Sequence, residues 1–259
     1  AKDKFQTRFV DSIEQLNAIA WNEIVGTKNP FMRYEFLHAL ESTGCTNKQT
    51  GWRPHHVAMY TVGRNKSLVA IMPLYLKTNS WGEYVFDWSW ANAYKSYGYQ
   101  YYPKFVTAAP FTPSAGNRIF IHKKYREEGL LKLIVEKIKE KAKLIGASSW
   151  HVLFPSEEEH DALGLLGVQP RIATQFHWQN KGYESFNDFL TFLNSRKRKS
   201  IRKERKYVHD HGITFRRTEG ACITEQQWAD FYLFYLSTYL MRGMQGYLEL
   251  EFFHVVAET

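Results

Sequence analysis

Residues 127–145 carry the most demanding pattern in this chain. Leu131, Ile134, Val135, Ile138 and Ala142 recur at helical spacing while lysines take the opposite side. A helix with one apolar stripe must bury that stripe, and the flanking segments offer a sheet for it. Upstream, residues 55–60 and 67–78 are β-rich and joined through Gly63-Arg64-Asn65, which reads as a hairpin. Two more extended stretches are expected at 83–88 and 118–122. Downstream follow a short buried strand at 149–154, a helix at 157–166 ended by Gly167, and a strand at 174–178. At the N-terminal side Ser12 can cap a helix through residue 25, and Asn29-Pro30 breaks the chain before a second helix near 34–41. The order predicts an α/β fold with an antiparallel start and a β-α-β crossover at its end.

A long irregular region, 91–116, is dense in Tyr, Pro and Gly, and a compact domain seldom carries such a loop without using it. After residue 180 a new unit is expected: a long helix at 185–209, a strand at 213–217 and a helix at 224–241. The last of these, beginning Trp228-Ala229-Asp230-Phe231-Tyr232, is apolar on most sides and calls for cover. The sequence therefore predicts a first domain over 1–180 and the start of a second, incomplete one over 181–259.

Composition narrows the classes. Hydrophobic residues are 44% and charged residues 23%, the balance of a folded globular chain. Aromatics reach 16%, which suits aromatic-walled clefts as well as a core. The longest apolar run, 68–76, is far short of the roughly 20 residues that span a bilayer. Residues 1–5 lack the apolar segment of a secretory signal, and two cysteines, Cys45 and Cys222, build neither a disulfide framework nor a cysteine zinc site, so a cytoplasmic setting is expected. Charge is concentrated: Arg196, Lys197, Arg198, Lys199, Arg202, Lys203, Arg205 and Lys206 are opposed only by Glu204. Such a run is either a solvated helix face or a contact for phosphate-rich partners, nucleic acid or anionic lipid.

Three constellations could carry chemistry. At Tyr125-Arg126-Glu127-Glu128-Gly129 a strand gives way to the amphipathic helix; free N–H groups, Gly129 and the bases Lys123, Lys124 and Arg126 would suit a pyrophosphate. An ordinary helix start explains the same spacing. In 82–94, strand alternation would set Glu83, Val85 and Asp87 against Tyr84, Phe86 and Trp88, and a carboxylate walled by Trp88 and Trp90 could have a raised pKa and act as a general base. Asp87 as a turn cap or the partner of a base is the plainer alternative. In 101–118, three prolines fix a loop from which Tyr102 could act as a general acid, while Lys104 and Arg118 could hold an anionic group. The plain alternative is a structural loop. Adjacent His55 and His56 face opposite ways on a strand, and no nucleophile elbow or Walker loop occurs, so no metal is expected.

Blocks recur in order along the whole chain: Asn29-Pro30-Phe31, Gly51-Trp52-x-Pro54-x-His56, Pro73-Leu74-Tyr75-Leu76-Lys77, Tyr101-Tyr102-Pro103-Lys104, Pro110-Phe111-Thr112-Pro113 and Gln175-Phe176-His177-Trp178. Together they resemble the bacterial FemAB-like predicted N-acyltransferases of the GNAT superfamily, described as peptidoglycan biosynthesis or recognition proteins. The resemblance implies a GNAT fold, a mixed sheet flanked by helices, in a tandem arrangement whose second unit is truncated here. It implies an acyl or aminoacyl donor and an amine acceptor, possible donors being an acyl-CoA or, as in Fem proteins, an aminoacyl-tRNA. On this reading Asp87 and Tyr102 are catalytic. Tyr84, Trp88, Trp90, Lys104, Thr112, Arg118 and His177 contact substrate, and Arg126 and Gly129 hold donor phosphates. Leu131 departs from the Arg/Gln-x-x-Gly-x-Gly/Ala pattern, where a small residue is expected. Arg196, Arg198, Arg202 and Arg205 would meet tRNA or another phosphate-rich surface, a peripheral membrane included. A non-catalytic module recognising a cell-wall precursor or peptide, and an RNA-contacting protein, are the rival readings.

Overall fold

The computed structural model describes residues 4–85 and 87–258. Residues 1–3, Phe86 and Thr259 lie outside the described residues, and with them the place expected for Phe86 in the 83–88 alternation and most of the segment read for a secretory signal. The chain clusters into two units. One runs to Pro170 and resumes at Thr224; the other is Arg171–Ile223. The segment from Thr224 onward therefore folds with the first unit, whereas the sequence groups it with the basic region.

In the first unit the strands are β1 (Phe5–Val10), β2 (Trp52–Pro54), β3 (His56–Thr61), β4 (Leu68–Met72), β5 (Tyr75–Lys77), β6 (Lys104–Thr107), β7 (Phe120–Ile121) and β8 (Trp150–Val152). They form two sheets, ordered β1-β3-β4-β7 and β2-β5-β6-β8. The expected hairpin is present, but each arm is broken and crosses from one sheet to the other. Pro73 has no N–H to give the ladder. At this break His55 N donates to Leu74 O at 2.8 Å. Beyond it β2 and β5 pair antiparallel, and β6 adds to β5.

The helices of this unit are α1 (Ala18–Val25), α2 (Tyr34–Ser42), α3 (Trp88–Ser96), α4 (Leu130–Ile145) and α5 (Glu157–Leu165). Ser12 caps a single 3-10 turn at Ile13–Gln15, and α1 starts only after Asn17, whose side chain takes the Ala20 N–H. Strand alternation sends Val57 and Met59 to one face of the first sheet, where α4 inserts Leu130, Ile134 and Ile138. Ala58 and Ile71 line the other face with Trp21 and Leu37 of α1 and α2. The chain leaves the first sheet at β7, crosses through α4 and enters the second at β8, parallel to β6. The first sheet is the expected antiparallel start, and the second, mixed through the parallel β6–β8 pair, holds the crossover through α4.

The described residues of 83–88 do not form the expected strand. Gly82 (φ 76°) and Tyr84 (φ 56°) take left-handed backbone, which no extended strand tolerates. The chain turns there into α3, inside the region read as irregular, which also holds β6. The second unit contains α6 (Phe186–Thr191) and α7 (Ser195–Asp210) in place of one continuous helix. Asn194 breaks the run by capping α7 through the Lys197 N–H. Residues 174–178 and 213–217 form no strand, for the unit offers no partner strand among its described residues. Returning to the first unit, α8 (Glu225–Leu240) and α9 (Leu250–Ala257) close the chain. Phe252 of α9 covers Ala39, Leu40 and Cys45, while Leu233, Phe234 and Leu240 of α8 stay exposed.

Candidate functional site

Among the described residues, three that are not glycine have left-handed backbone: Tyr84, Phe111 and Phe154. Such strain costs about 1–3 kcal/mol each and persists where surrounding structure enforces it, often at functional sites. Phe111 and Phe154 pack, with Val85, on the cluster of Trp52, Tyr75, Val106, Ala108 and Leu153 at the second sheet. Gly82 lies so close to this cluster that a Cβ there would fall 2.5 Å from the Phe111 ring.

Beside it lies a buried set of four charges. Lys104 on β6 and Lys77 on β5 sit opposite one another in register. Lys104 Nζ pairs with Glu83 Oε2 at 2.8 Å and with Asp87 Oδ2. Tyr101 Oη donates to the same Asp87 oxygen at 2.7 Å. Lys77 Nζ lies 3.8 Å from the centre of a Trp52 ring and donates to Trp81 O at 3.1 Å. Glu83 Oε1 is 4.0 Å from Lys77 Nζ and accepts no hydrogen bond among the described residues. Two ammoniums and two carboxylates cancel, which lets all four side chains be shut from water.

Burial pushes the Lys77 ammonium down to about 7, against the pull of Glu83. Burial likewise raises Glu83, only partly offset by Lys104. At Asp87 burial also raises, but hydrogen bonds from Lys104, Ser80 and Tyr101 outweigh it and hold the carboxyl below its ordinary value. This reverses the raised carboxylate expected at Asp87: the upward shift sits on Glu83, and Asp87 is a fully buried ion-pair partner. Lys104 is corrected too, since its ammonium is fully buried between the carboxylates and cannot reach an anionic ligand. Arg118 is corrected for the same reason. Its guanidinium donates to the carbonyls of Leu153, Gly116, Asn117 and Ser114, and its own N–H and that of Ile119 bond to Glu159. Burial lowers this arginine to about 10, against the pull of Glu159.

The other residues predicted for the site separate into groups. Tyr102 reaches the edge of the buried set, its hydroxyl 2.6 Å from Ser80 Oγ, and burial raises it. Tyr84 is half exposed and pushed up to about 12 by burial and by its contact with Tyr239 of α8. Trp81 and Trp88 are 47% and 40% exposed, with ring centres 4.9 Å apart and planes at 60°. Trp90 on α3 is also exposed. Thr112 closes a local turn through Pro110 O. His177 lies in the other unit, its ring bonded to Gln175. Sequence reasoning missed Lys77, Tyr101 and Tyr239. A lysine ending the apolar run 68–76 was the available signal for the first.

At the second location, β7 runs into a 3-10 turn, Lys123–Glu128, and then α4. Gly129 takes φ 69° and starts α4 without a side-chain cap, and space is open where its Cβ would stand. Lys123, Lys124 and Arg126 are exposed here. Leu131, the departure from the phosphate-loop pattern, packs on the core. In the second unit, none of the lysines and arginines of α7 pairs with a carboxylate among the described residues, and the Arg205 guanidinium lies 4.1 Å from the centre of the Phe186 ring. Among the described residues no group of three or more His, Cys, Asp and Glu gathers as a metal site, and no helix is long and apolar enough to cross a membrane.

Several solved structures overlap with this chain. An aminoglycoside 6'-N-acetyltransferase from Acinetobacter baumannii is 14% identical, with a TM-score of 0.40 over 69% of this chain and 99% of that one. A glucosamine-6-phosphate N-acetyltransferase from Arabidopsis thaliana is 11% identical, at 0.39 over 68% and 99%. A GCN5-related N-acetyltransferase from Ralstonia eutropha is 8% identical, at 0.40 over 67% and 98%. No curated protein sequence matches significantly. Residues 12–259 match the family model FemAB-like, described as peptidoglycan biosynthesis/recognition. With the match spanning nearly all of the sequence, the chain belongs to the FemAB-like family.

Proposed function

We propose that this chain is an N-acyltransferase of peptidoglycan-related chemistry, moving an acyl or aminoacyl group from a CoA- or tRNA-type donor to an amine. The observation that carries this reading is the β7–α4 junction. A glycine in left-handed backbone opens a helix whose first N–H groups lack a side-chain cap, beside three exposed bases. Helix N-termini favour anions, and the open space at Gly129 admits close approach of a phosphate. Arg126 and Gly129 hold the donor's phosphates in this proposal. The amine acceptor lies over Tyr84, Trp88 and Trp90. As the N–C bond forms and the donor bond breaks, Tyr102, hydrogen-bonded to Ser80, gives a proton to the leaving group, and the proton released by the amine nitrogen restores the phenol. Asp87 and Glu83 are positioning residues, since they fix Lys104 and Tyr101 from beneath and touch no substrate.

Isothermal titration with acetyl-CoA and a longer acyl-CoA tests this directly. Saturable binding that weakens roughly tenfold in Arg126→Ala, the scale of one lost charge-assisted contact, is expected. Absence of binding to every acyl-CoA removes the CoA-type donor. A tRNA-type donor would be met by Arg196, Arg198, Arg202 and Arg205 of α7, a run opposed in sequence only by Glu204; its binding would fall steeply with salt and survive Arg126→Ala. The exposed tryptophans also favour a second reading, a recognition module without turnover. There Tyr102→Phe leaves ligand binding intact and no transfer activity is found in either protein.

A further inference from the structure

The segment 79–90 shows an unusual surface. Its only charged residues, Glu83 and Asp87, are buried and neutralised by Lys77 and Lys104. Apart from Ser89, what its described residues expose is aromatic, with Trp81 and Trp88 forming a shallow corner of two planes. Two uncharged hydroxyl pairs belong to the same loop and its neighbours, Ser80 with Tyr102 and Tyr84 with Tyr239. The loop is held by Gly82 against Phe111 and by two bonds to Trp81 O, from Lys77 Nζ and Trp52 Nε1. The corner is thus preorganised by its backbone, and its indoles are left facing outward.

We propose that the Trp81–Trp88 corner is a carbohydrate subsite that takes a pyranose ring of the acceptor. A pyranose has a C–H face that stacks on an indole and hydroxyls at its rim that bond to neutral oxygens. The absence of exposed charge in the segment argues against a nucleotide, whose phosphates need cations. A purely apolar partner would bury the Ser80–Tyr102 pair without replacing its hydrogen bonds with water. In naming the saccharide as part of an acceptor the inference rests on the acyltransfer reading; binding to the corner does not.

The test is titration of the full chain with a soluble β-1,4-linked tetramer of N-acetylglucosamine, followed by calorimetry and tryptophan fluorescence, with a cell-wall-type peptide as the second probe. Expected is saturable binding of the saccharide that weakens roughly tenfold in Trp81→Ala and in Trp88→Ala, as for a central aromatic anchor. Trp178→Ala, in the other unit, leaves it unchanged. The bonds to residue 81 come from its carbonyl, so truncating its indole keeps them, and Trp81→Phe retains most of the affinity should the alanine variant lose its fold. No saturable saccharide binding, or binding that both alanine variants retain in full, overturns the subsite. So does peptide binding with no saccharide binding. If acyl-CoA binds and the saccharide does not, this inference alone falls. If the saccharide binds and no acyl donor does, the subsite stands and the transfer reading falls.

Discussion

Lys77 shows how far a buried environment can move one group. An ordinary lysine titrates near 10.5, and here burial brings the ammonium down to about 7, against Glu83. Between those values the unfolded chain holds a proton that the folded chain has released, so protonation favours unfolding there. Stability contributed by this site therefore rises as pH climbs from 7 toward 10, by at most about 1.4 kcal/mol per pH unit, and is flat below 7, where both states are charged. Urea denaturation at pH 7, 8 and 9 should show that rise, and Lys77→Met should flatten it. Parallel curves for the two proteins would refute the assignment. At this scale the sequence told only part of the story. Glu83 and Asp87 share an interior, as strand alternation would have had them, yet through a turn and a helix start. The direction of the shift at Asp87 depended on Lys104, seventeen positions away, and no spacing rule pairs the two.

Single elements divide more cleanly. The amphipathic stripe of α4 was legible because burial on one face writes itself at a period of 3.6 residues. The breaks at His55 and Pro73 were not, since a strand that changes sheet keeps its extended composition. Residues 83–88 alternate like a strand, and only the left-handed backbone at Gly82 and Tyr84 overrides that pattern. Gly82 and Gly129 make a paired test of what such backbone does. Gly129→Ala meets open space and should lose only the left-handed preference, about 1–2 kcal/mol. Gly82→Ala meets the Phe111 ring at 2.5 Å and the Trp52 indole at 3.2 Å, which adds about 1–3 kcal/mol of overpacking. Equal losses in chemical denaturation would contradict the close packing described for this loop.

Across the molecule, cohesion is unequal. In the first unit β3 and β4 are nearly sealed from water, whereas α7 in the second has no buried residue. Opening free energies range from near zero to the global value in such cases. Native-state hydrogen exchange should find the amides of β3 and β4 slowest and those of α7 fastest, and comparable protection in both would count against the division. The sequence placed the basic helix in a unit apart from the crossover fold, but it assigned the last helices to the wrong companion. Their apolar faces say that they need cover and not where the cover is. That return has a cost in time. The Glu249 N–H reaches Cys45 Sγ across 204 positions, and Phe252 then covers Ala39 and Leu40. At ribosomal rates of about 5–20 residues per second, α2 leaves the ribosome roughly 10–40 s before α9 exists to meet it. During each round of synthesis that face of α2 is bare, a waiting surface for a chaperone or for the same face of a neighbouring nascent chain.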